Sequence, residues 1–492
     1  MTRWTVGIIG LLCAWWVSCS APNHQKDDDV LFELLDASQA GLKFHNTLEA
    51  NPVQNVFNYM YFYNGGGVCA ADFNADGLTD LFFTSNQHDN ALYLNRGGFK
   101  FEDVTRDAGI TRGLGWSTGA AAADVNGDGL TDLYVSQVSG IMGLGGTNQL
   151  FLNMGTSSDG MPRFEERARD FGLDLTGLCT QAGFFDYDQD GDLDMFQLRH
   201  SIHDNSTYGP RNQMLTEVSD RSGDQLLRND GGTFSDVSQK AGILSSVVGY
   251  GLGLAFGDVN LDGLPDIYIG NDFHENDYLY LNQGDGTFSE VLTEAIQHTS
   301  RFSMGVDIGD LNNDMWPEII SLDMHPEDPQ VLKSAMGEDA YNVFQFKLSY
   351  GYSVQFARNA LQRNNGDGTF SEIAQMAGVY ATDWSWAPLF VDFDNDGKKD
   401  LFISNGIPKR MNDIDYIKFI SAAEIQKRLE SEHIEKEDLE LAEKMPEIKL
   451  YDKFFRNAGD GFHLKDLTGA VKGHSPSYSN GAVYEDFDND GD

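Results

Sequence analysis

The sequence predicts an all-β fold, a seven-bladed β-propeller, on three observations. An acidic nonapeptide recurs seven times along the 492 residues, a second phrase built around FxDV recurs between its copies, and short β-patterned runs flank both. The nonapeptides are DFNADGLTD from Asp72, DVNGDGLTD from Asp124, DYDQDGDLD from Asp186, DVNLDGLPD from Asp258, a degenerate DLNNDMWPE from Asp310, DFDNDGKKD from Asp392, and DFDNDGD from Asp486, where the sequence ends. Their tightest spacing is 52 residues, so the unit is about fifty residues long, with insertions in some copies.

Residues 1–19 read as a signal peptide with a lipobox-like end. Val6 to Val17 is an apolar run too short for a bilayer that needs about 20 residues, and it ends at Ser18 and Cys19, the expected site of lipidation. Ordinary cleavage nearby is the alternative. Residues 20–30 are polar and acidic and are expected to act as a tether, which makes the protein an exported, outer-membrane or cell-surface lipoprotein. Residues 31–492 form the propeller. Cys69 and Cys179 lie in apolar runs just before acidic loops, so both are expected as buried small hydrophobes and no disulfide framework follows.

Within each unit an apolar, glycine-containing strand such as GGGVCAAD enters the acidic loop and a strand such as DLFFTSN leaves it. A third strand such as ALYLNRG and the FxDV strand follow. The FxDV phrase stands in NRGGFKFEDVTRDAGI from Asn95, NDGGTFSDVSQKAGI from Asn229, NQGDGTFSEVLTEAI from Asn282, NNGDGTFSEIAQMAGV from Asn364 and NAGDGFHLKDLTG from Asn457, with a looser copy from Phe164 to Leu173. Four-stranded units repeated around an axis are propeller blades. A half-copy, FELLDASQAGL from Phe32, has no acidic loop before it and is expected to close the ring as the outer strand of the seventh blade. The outgoing strands of that blade are missing after Asp492, so the natural protein is expected to continue.

Oxygen ligands at positions 1, 3, 5 and 9 of the loop, with glycine at 6 for a sharp bend, suit Ca²⁺ better than the stricter, more hydrated Mg²⁺. The candidate ligands are Asp72, Asn74, Asp76 and Asp80; Asp124, Asn126, Asp128 and Asp132; Asp186, Asp188, Asp190 and Asp194; and Asp258, Asn260, Asp262 and Asp266. Asp310, Asn312, Asp314 and Glu318 form a fifth set, weakened by Met315 and Glu318 in place of glycine and aspartate; Asp392, Asp394, Asp396 and Asp400 form a sixth, and Asp486, Asp488 and Asp490 a seventh. Five to seven Ca²⁺ sites are therefore expected. An EF-hand is excluded, because position 12 is Phe83, Val135 or Ile269 inside a β-patterned run rather than glutamate before a helix. The alternative, that the aspartates only form turns, leaves the repeated spacing unexplained. With 34 basic against 76 acidic residues the formal charge is −42, which repels phosphate backbones and excludes nucleic acid as a partner. The loops hold about a third of the acids.

These residues resemble the FG-GAP or VCBS repeats of integrin-alpha-like propellers. Phrases such as NDFHENDYLYLNQGDGTF and TDWSWAPLFVDFDNDGKKDLFISNGIPKRMNDIDY are more similar to bacterial members of the cartilage acidic protein, ASPIC/UnbV-associated, family. The resemblance implies extracellular Ca²⁺ binding and adhesion-like recognition of a protein or glycan, and names no ligand.

An enzyme is the competing reading, a hydrolase or lyase acting on extracellular glycans. Its candidate acid and base groups are His200, His203 and Asp204; Asp272, His274, Glu275 and Asp277; and Asp323, His325, Glu327 and Asp328. No GxSxG, HExxH, P-loop or cysteine nucleophile pattern accompanies them, and the chain reads as a binding module without catalysis. Residues 409–450 have helical spacing and form an insertion, a lid on the propeller or a partner helix. With Arg199 to Asp224 and Ser321 to Arg358, they belong to long loops on the face opposite the acidic loops. Tyr208, Tyr341, Phe344, Tyr352 and Arg410 mark that face as the recognition surface.

Overall fold

Alternating apolar strands that meet at an acidic turn have one low-energy arrangement, an antiparallel pair joined through the turn. In the computed structural model, which describes residues 32–203, 209–429, 434–460 and 462–491, the pairing runs Val68↔Phe83 to Ala71↔Asp80 around the first acidic loop. Strands Val68–Ala71, Asp80–Phe83, Ala91–Asn95 and Phe101–Asp103 make blade one, hydrogen-bonded in chain order. Blade two starts with Trp116–Ala123, blade three with Cys179–Phe185, blade four with Gly251–Gly257, blade five with Val306–Gly309 and blade six with Ser385–Val391. Each is an antiparallel four-stranded sheet in the same order.

The described residues therefore contain six complete blades, not the expected seven. The seventh acidic loop is present, but residues 478–491 form no strand ladder. Its place in the ring is nonetheless set by contacts that repeat from blade to blade. Asn153 and Asn229, at the end of a third strand, donate their side-chain amide to Phe73 and Val125 at loop position two of the preceding blade, and Asn95 donates in the same way to Phe487 at 2.8 Å. Val483 and Phe487 pack on the outer core of blade one.

The Phe32 half-copy fills the matching outer position. Phe32 packs on Phe393 of the sixth loop with ring centroids 5.2 Å apart, as Phe164 packs on Phe73 at 6.0 Å and Phe288 on Tyr187 at 5.9 Å. Its carbonyl accepts the Lys472 N–H at 2.9 Å.

The hydrophobic core is divided among the blade interfaces. Tyr134 and Leu150 of blade two pack against Ala182 and Met195 of blade three, and Phe185 and Leu198 of blade three pack against Leu254 and Ile267 of blade four. Cys69 and Cys179 are buried free thiols, and burial pushes Cys69 up to about 12. The insertion after the second strand of blade six carries helices Ile414–Ile420, Ala423–Leu429 and Lys436–Ala442; that of blade five carries Pro329–Ser334 and Tyr341–Ser349. No helix among the described residues is long and apolar enough to cross a membrane. The signal peptide, tether and Cys19 lie outside the described residues.

Candidate functional site

Each acidic loop is closed by its own first aspartate. Asp72 accepts the Asp76 N–H at 3.2 Å with Oδ1 and the Gly77 N–H at 2.8 Å with Oδ2, and Asp124, Asp186, Asp258, Asp310, Asp392 and Asp486 repeat both bonds. The turn places two residues in the left-handed region. Position six is glycine except at Met315, which adopts φ 78° in its stead, so the fifth loop keeps the common backbone. Position four is left-handed as well, in Ala75, Gln189, Leu261 and Asn395 among others; sequence reasoning missed it because the residue type there varies.

The ninth acid has a structural task beside its role as a candidate ligand. Asp80 is fully buried, accepting the Phe73 N–H at 3.0 Å and the Asn95 N–H at 2.7 Å, which staples the loop to the third strand. Asp132, Asp194, Asp266 and Asp400 make the same two bonds, and Glu318 reaches the Leu311 N–H at 2.9 Å with its longer side chain. Burial pushes Asp80, Asp194, Asp266 and Glu318 up to about 7, and Asp132 and Asp400 up to about 6, against the pull of the backbone donors.

The third position sorts the loops. Where it is aspartate, three carboxylates converge: ligand oxygens of Asp186, Asp188 and Asp194, of Asp392, Asp394 and Asp400, and of Asp486, Asp488 and Asp490 lie within 4.8 Å of one another. Where it is asparagine, its amide donates to the aspartate at position five in three loops, from Asn74 to Asp76 at 2.9 Å, Asn126 to Asp128 at 3.0 Å and Asn260 to Asp262 at 2.8 Å, and to the acid at position nine in the fifth loop, from Asn312 to Glu318 at 3.1 Å. Loop six carries its own cations, Arg456 at 2.6 Å from Asp394 and Lys398 at 2.8 Å from Asp396. A donor set made only of oxygen, with carboxylates held together against their repulsion, fits a hard divalent cation of the size of Ca²⁺.

The opposite face is built differently. Residues 51–64 fold into a turn-rich plug whose Tyr59, Tyr61, Phe62 and Tyr63 are buried with Trp116, Leu178, Phe302, Trp384 and Ile407 from several blades. The sequence signal was four aromatics among residues 59–63 ahead of three glycines. Beside the plug, inner residues of every blade, including Thr118, Gly253 and Pro388, line a cavity of about 370 Å³ on the ring axis.

The acid and base candidates are mostly engaged in holding this face. His200 Nε2 meets the Tyr59 hydroxyl at 3.3 Å, and burial pushes the imidazole down to about 4. Asp272 accepts from Tyr61 at 3.1 Å and from the Phe273 N–H, with burial pushing it up to about 7. Glu275 pairs with Arg211 at 2.7 Å, Asp277 accepts from Tyr268 and Ser303, and Asp323 accepts from Ser300 and three backbone N–H groups. His203 lies 3.7 Å from Glu217, His274 packs on Tyr250 and Tyr352, and His325 meets the Ala357 carbonyl at 2.7 Å. Glu327 pairs with Lys453 and Asp328 caps a helix. Asp204 lies outside the described residues.

Of the residues expected on the recognition surface, Tyr341 is 78% exposed and Phe344 half-buried. Tyr352 and Arg410 are buried, the first donating to the Gly209 carbonyl and the second paired with Asp383 at 2.7 Å, so neither is presented to a partner. Tyr208 lies outside the described residues.

Comparison with known proteins agrees with the repeat. FG-GAP-like repeat matches cover residues 72–135, 215–269, 258–321 and 351–403. Mouse cartilage acidic protein 1 is 24% identical over 411 residues; the match covers 73% of this chain and 58% of that protein, so the chain spans little more than half of its relative. Among solved structures, an Agrocybe aegerita lectin recognising non-reducing terminal N-acetylglucosamine aligns at 14% identity and TM-score 0.41, covering 85% of this chain and 84% of that one. A Xanthomonas campestris gluconolactonase aligns at 10% identity and TM-score 0.34, covering 70% and 85%. Likenesses this loose carry no argument about ligand or activity.

Proposed function

We propose that this protein, with its FG-GAP-like repeat matches and its likeness to cartilage acidic protein 1, is an exported, Ca²⁺-binding surface propeller that recognises a protein or glycan. The observation that carries the reading is the division of labour between the two faces. One holds the acidic loops in a common geometry, with three carboxylates converging in three of them. The other carries the long insertions of blades five and six, with Tyr341 exposed on a helix. Ca²⁺ would be held by positions 1, 3, 5 and 9 of each loop, where it supplies the positive charge that keeps a crowded carboxylate set ionised. A binding module is favoured over a hydrolase because Asp272, Glu275, Asp277 and Asp323 are buried and tied into structural bonds.

Chelation is the test. Each filled site adds RT ln(1 + [Ca²⁺]/Kd), about 2.7 kcal/mol at a hundredfold excess, so EGTA is expected to lower the melting temperature sharply and metal analysis to find several calcium ions per chain. Unchanged melting with no calcium bound overturns the reading of the loops. Hydrolysis of a glycan by the calcium-loaded chain revives the enzyme.

A further inference from the structure

A group of cations without ion pairs among the described residues lies away from the long insertions, on the rim of blade one. A groove of about 830 Å³ runs between the 43–45 stretch, the turn at 88–91 and the segment that leaves the blade's outer strand. Lys43, Arg106 and Arg112 line it, all exposed, and among the described residues none of the three makes an ion pair. His45 and His88 stand beside them. In a chain with a formal charge of −42, cations left without partners in one concavity call for an explanation.

A second observation comes from the wall. Asn90 is 2% exposed and lines the groove; its Oδ1 accepts the Ser85 N–H at 2.9 Å, while its Nδ2 has no partner. The other blades use the same turn position for the same first bond, with Asn148, Asp224, Asp277, Asn359 and Asp452 accepting from the backbone of the preceding strand. Where that residue is asparagine, its amide is satisfied: Asn148 donates to Tyr134 at 2.8 Å and Asn359 to the Val379 carbonyl at 2.8 Å. Among the described residues only the blade-one asparagine leaves this amide without a partner, buried in the groove wall, and an unpaired buried donor costs about 1–3 kcal/mol unless something accepts from it.

We infer that this groove binds an anionic saccharide, one whose carboxylate or sulfate oxygens meet Arg106, Arg112 and Lys43 while a ring or hydroxyl oxygen accepts from Asn90. Guanidinium groups suit planar carboxylate and sulfate acceptors, and the volume lies within the range of small-ligand sites. Asp89 and Asp107 in the same groove favour a sugar over an acidic peptide, because a saccharide carries several hydroxyl donors beside each anionic group. Asp103, also in the lining, accepts from Thr105 at 2.6 Å. The inference stands apart from the proposed calcium loops and insertions.

The experiment is calorimetry on the calcium-loaded full chain with three trisaccharide-sized probes: trigalacturonate, a sulfated heparin oligosaccharide, and neutral maltotriose. Binding of one or both acidic probes without the neutral one is expected, and which of them binds identifies carboxylate or sulfate as the source. Arg106→Gln and Arg112→Gln are expected to weaken binding roughly tenfold or more each. Asn90→Asp places a charge where blades three, four and six already carry aspartate, so the fold tolerates it; it should abolish binding while calcium content and melting stay unchanged. Equal binding of maltotriose, unaltered binding in all three variants, or binding of a polyglutamate peptide with no saccharide binding would each overturn the proposal.

Discussion

Met315 takes the place where six of the seven loops have glycine, and it adopts their left-handed backbone at φ 78° with its side chain 73% exposed. An L-residue held there costs about 1–2 kcal/mol, and glycine returns about 0.5–1 kcal/mol of that through the greater freedom of its unfolded chain. Met315→Gly is therefore expected to stabilise the protein by roughly 0.5–1 kcal/mol, read by urea denaturation in EGTA so that metal binding does not contribute. A destabilised variant would mean that the Met315 side chain contributes packing that its exposure does not suggest. Cys69 and Cys179 illustrate how residue type and neighbours sufficed: both stand in apolar runs, and both are buried without partners of their own kind.

At the scale of the loop, the sequence disclosed the candidate ligands because each contributes a side-chain oxygen at a fixed offset, but not what compensates their charge. Lys398 lies inside the sixth loop and Arg456 on the third strand of the same blade, and the ion pairs they form with Asp396 and Asp394 occupy oxygens that Ca²⁺ would claim. Arg456→Gln is expected to raise the calcium affinity of loop six several-fold and to leave loop three, whose Asp188 has no comparable ion pair among the described residues, unchanged. Isothermal titration on a chain with only the sixth loop intact would read it, and an affinity equal to that of the parent would show that the pair opens at no cost. The double duty of the ninth acid was likewise hidden. Its partner Asn95 lies 15 residues away, and only the folded blade shows that the third strand hangs from Asp80 by that bond.

For the molecule as a whole, local repetition was enough to foresee a ring but not its plug, since residues 51–64 draw their burial from residues as far along the chain as Ile407 and Met445 and carry no period of their own. The count of blades differed for a related reason. A strand is recognised by its ladder, and residues 478–491 have contacts to the neighbouring blades without one. Closure consequently rests on the two ends of the propeller. Phe32 packs on Phe393 and Phe454, with centroids 5.2 and 5.0 Å away, while Lys472 donates its N–H to the Phe32 carbonyl and accepts the Leu34 N–H, the two bonds of a short parallel bridge at Glu33. Phe32→Ala removes the aromatic from a half-buried site and is expected to cost roughly 1–3 kcal/mol, below the range for fully buried phenylalanine. The same truncation at Phe164 serves as the control, because its joint lies between two complete sheets and the chain itself continues across it. Opening at Phe32 frees a rim rather than a single contact, so limited proteolysis should cut first within residues 464–491 in Phe32→Ala and not in Phe164→Ala. Equal protection of that stretch in both variants would show that the ring is held shut without the Phe32 segment, through the bonds of residues 478–491 themselves, such as Asn95 to Phe487 and Asn489 to Gly77.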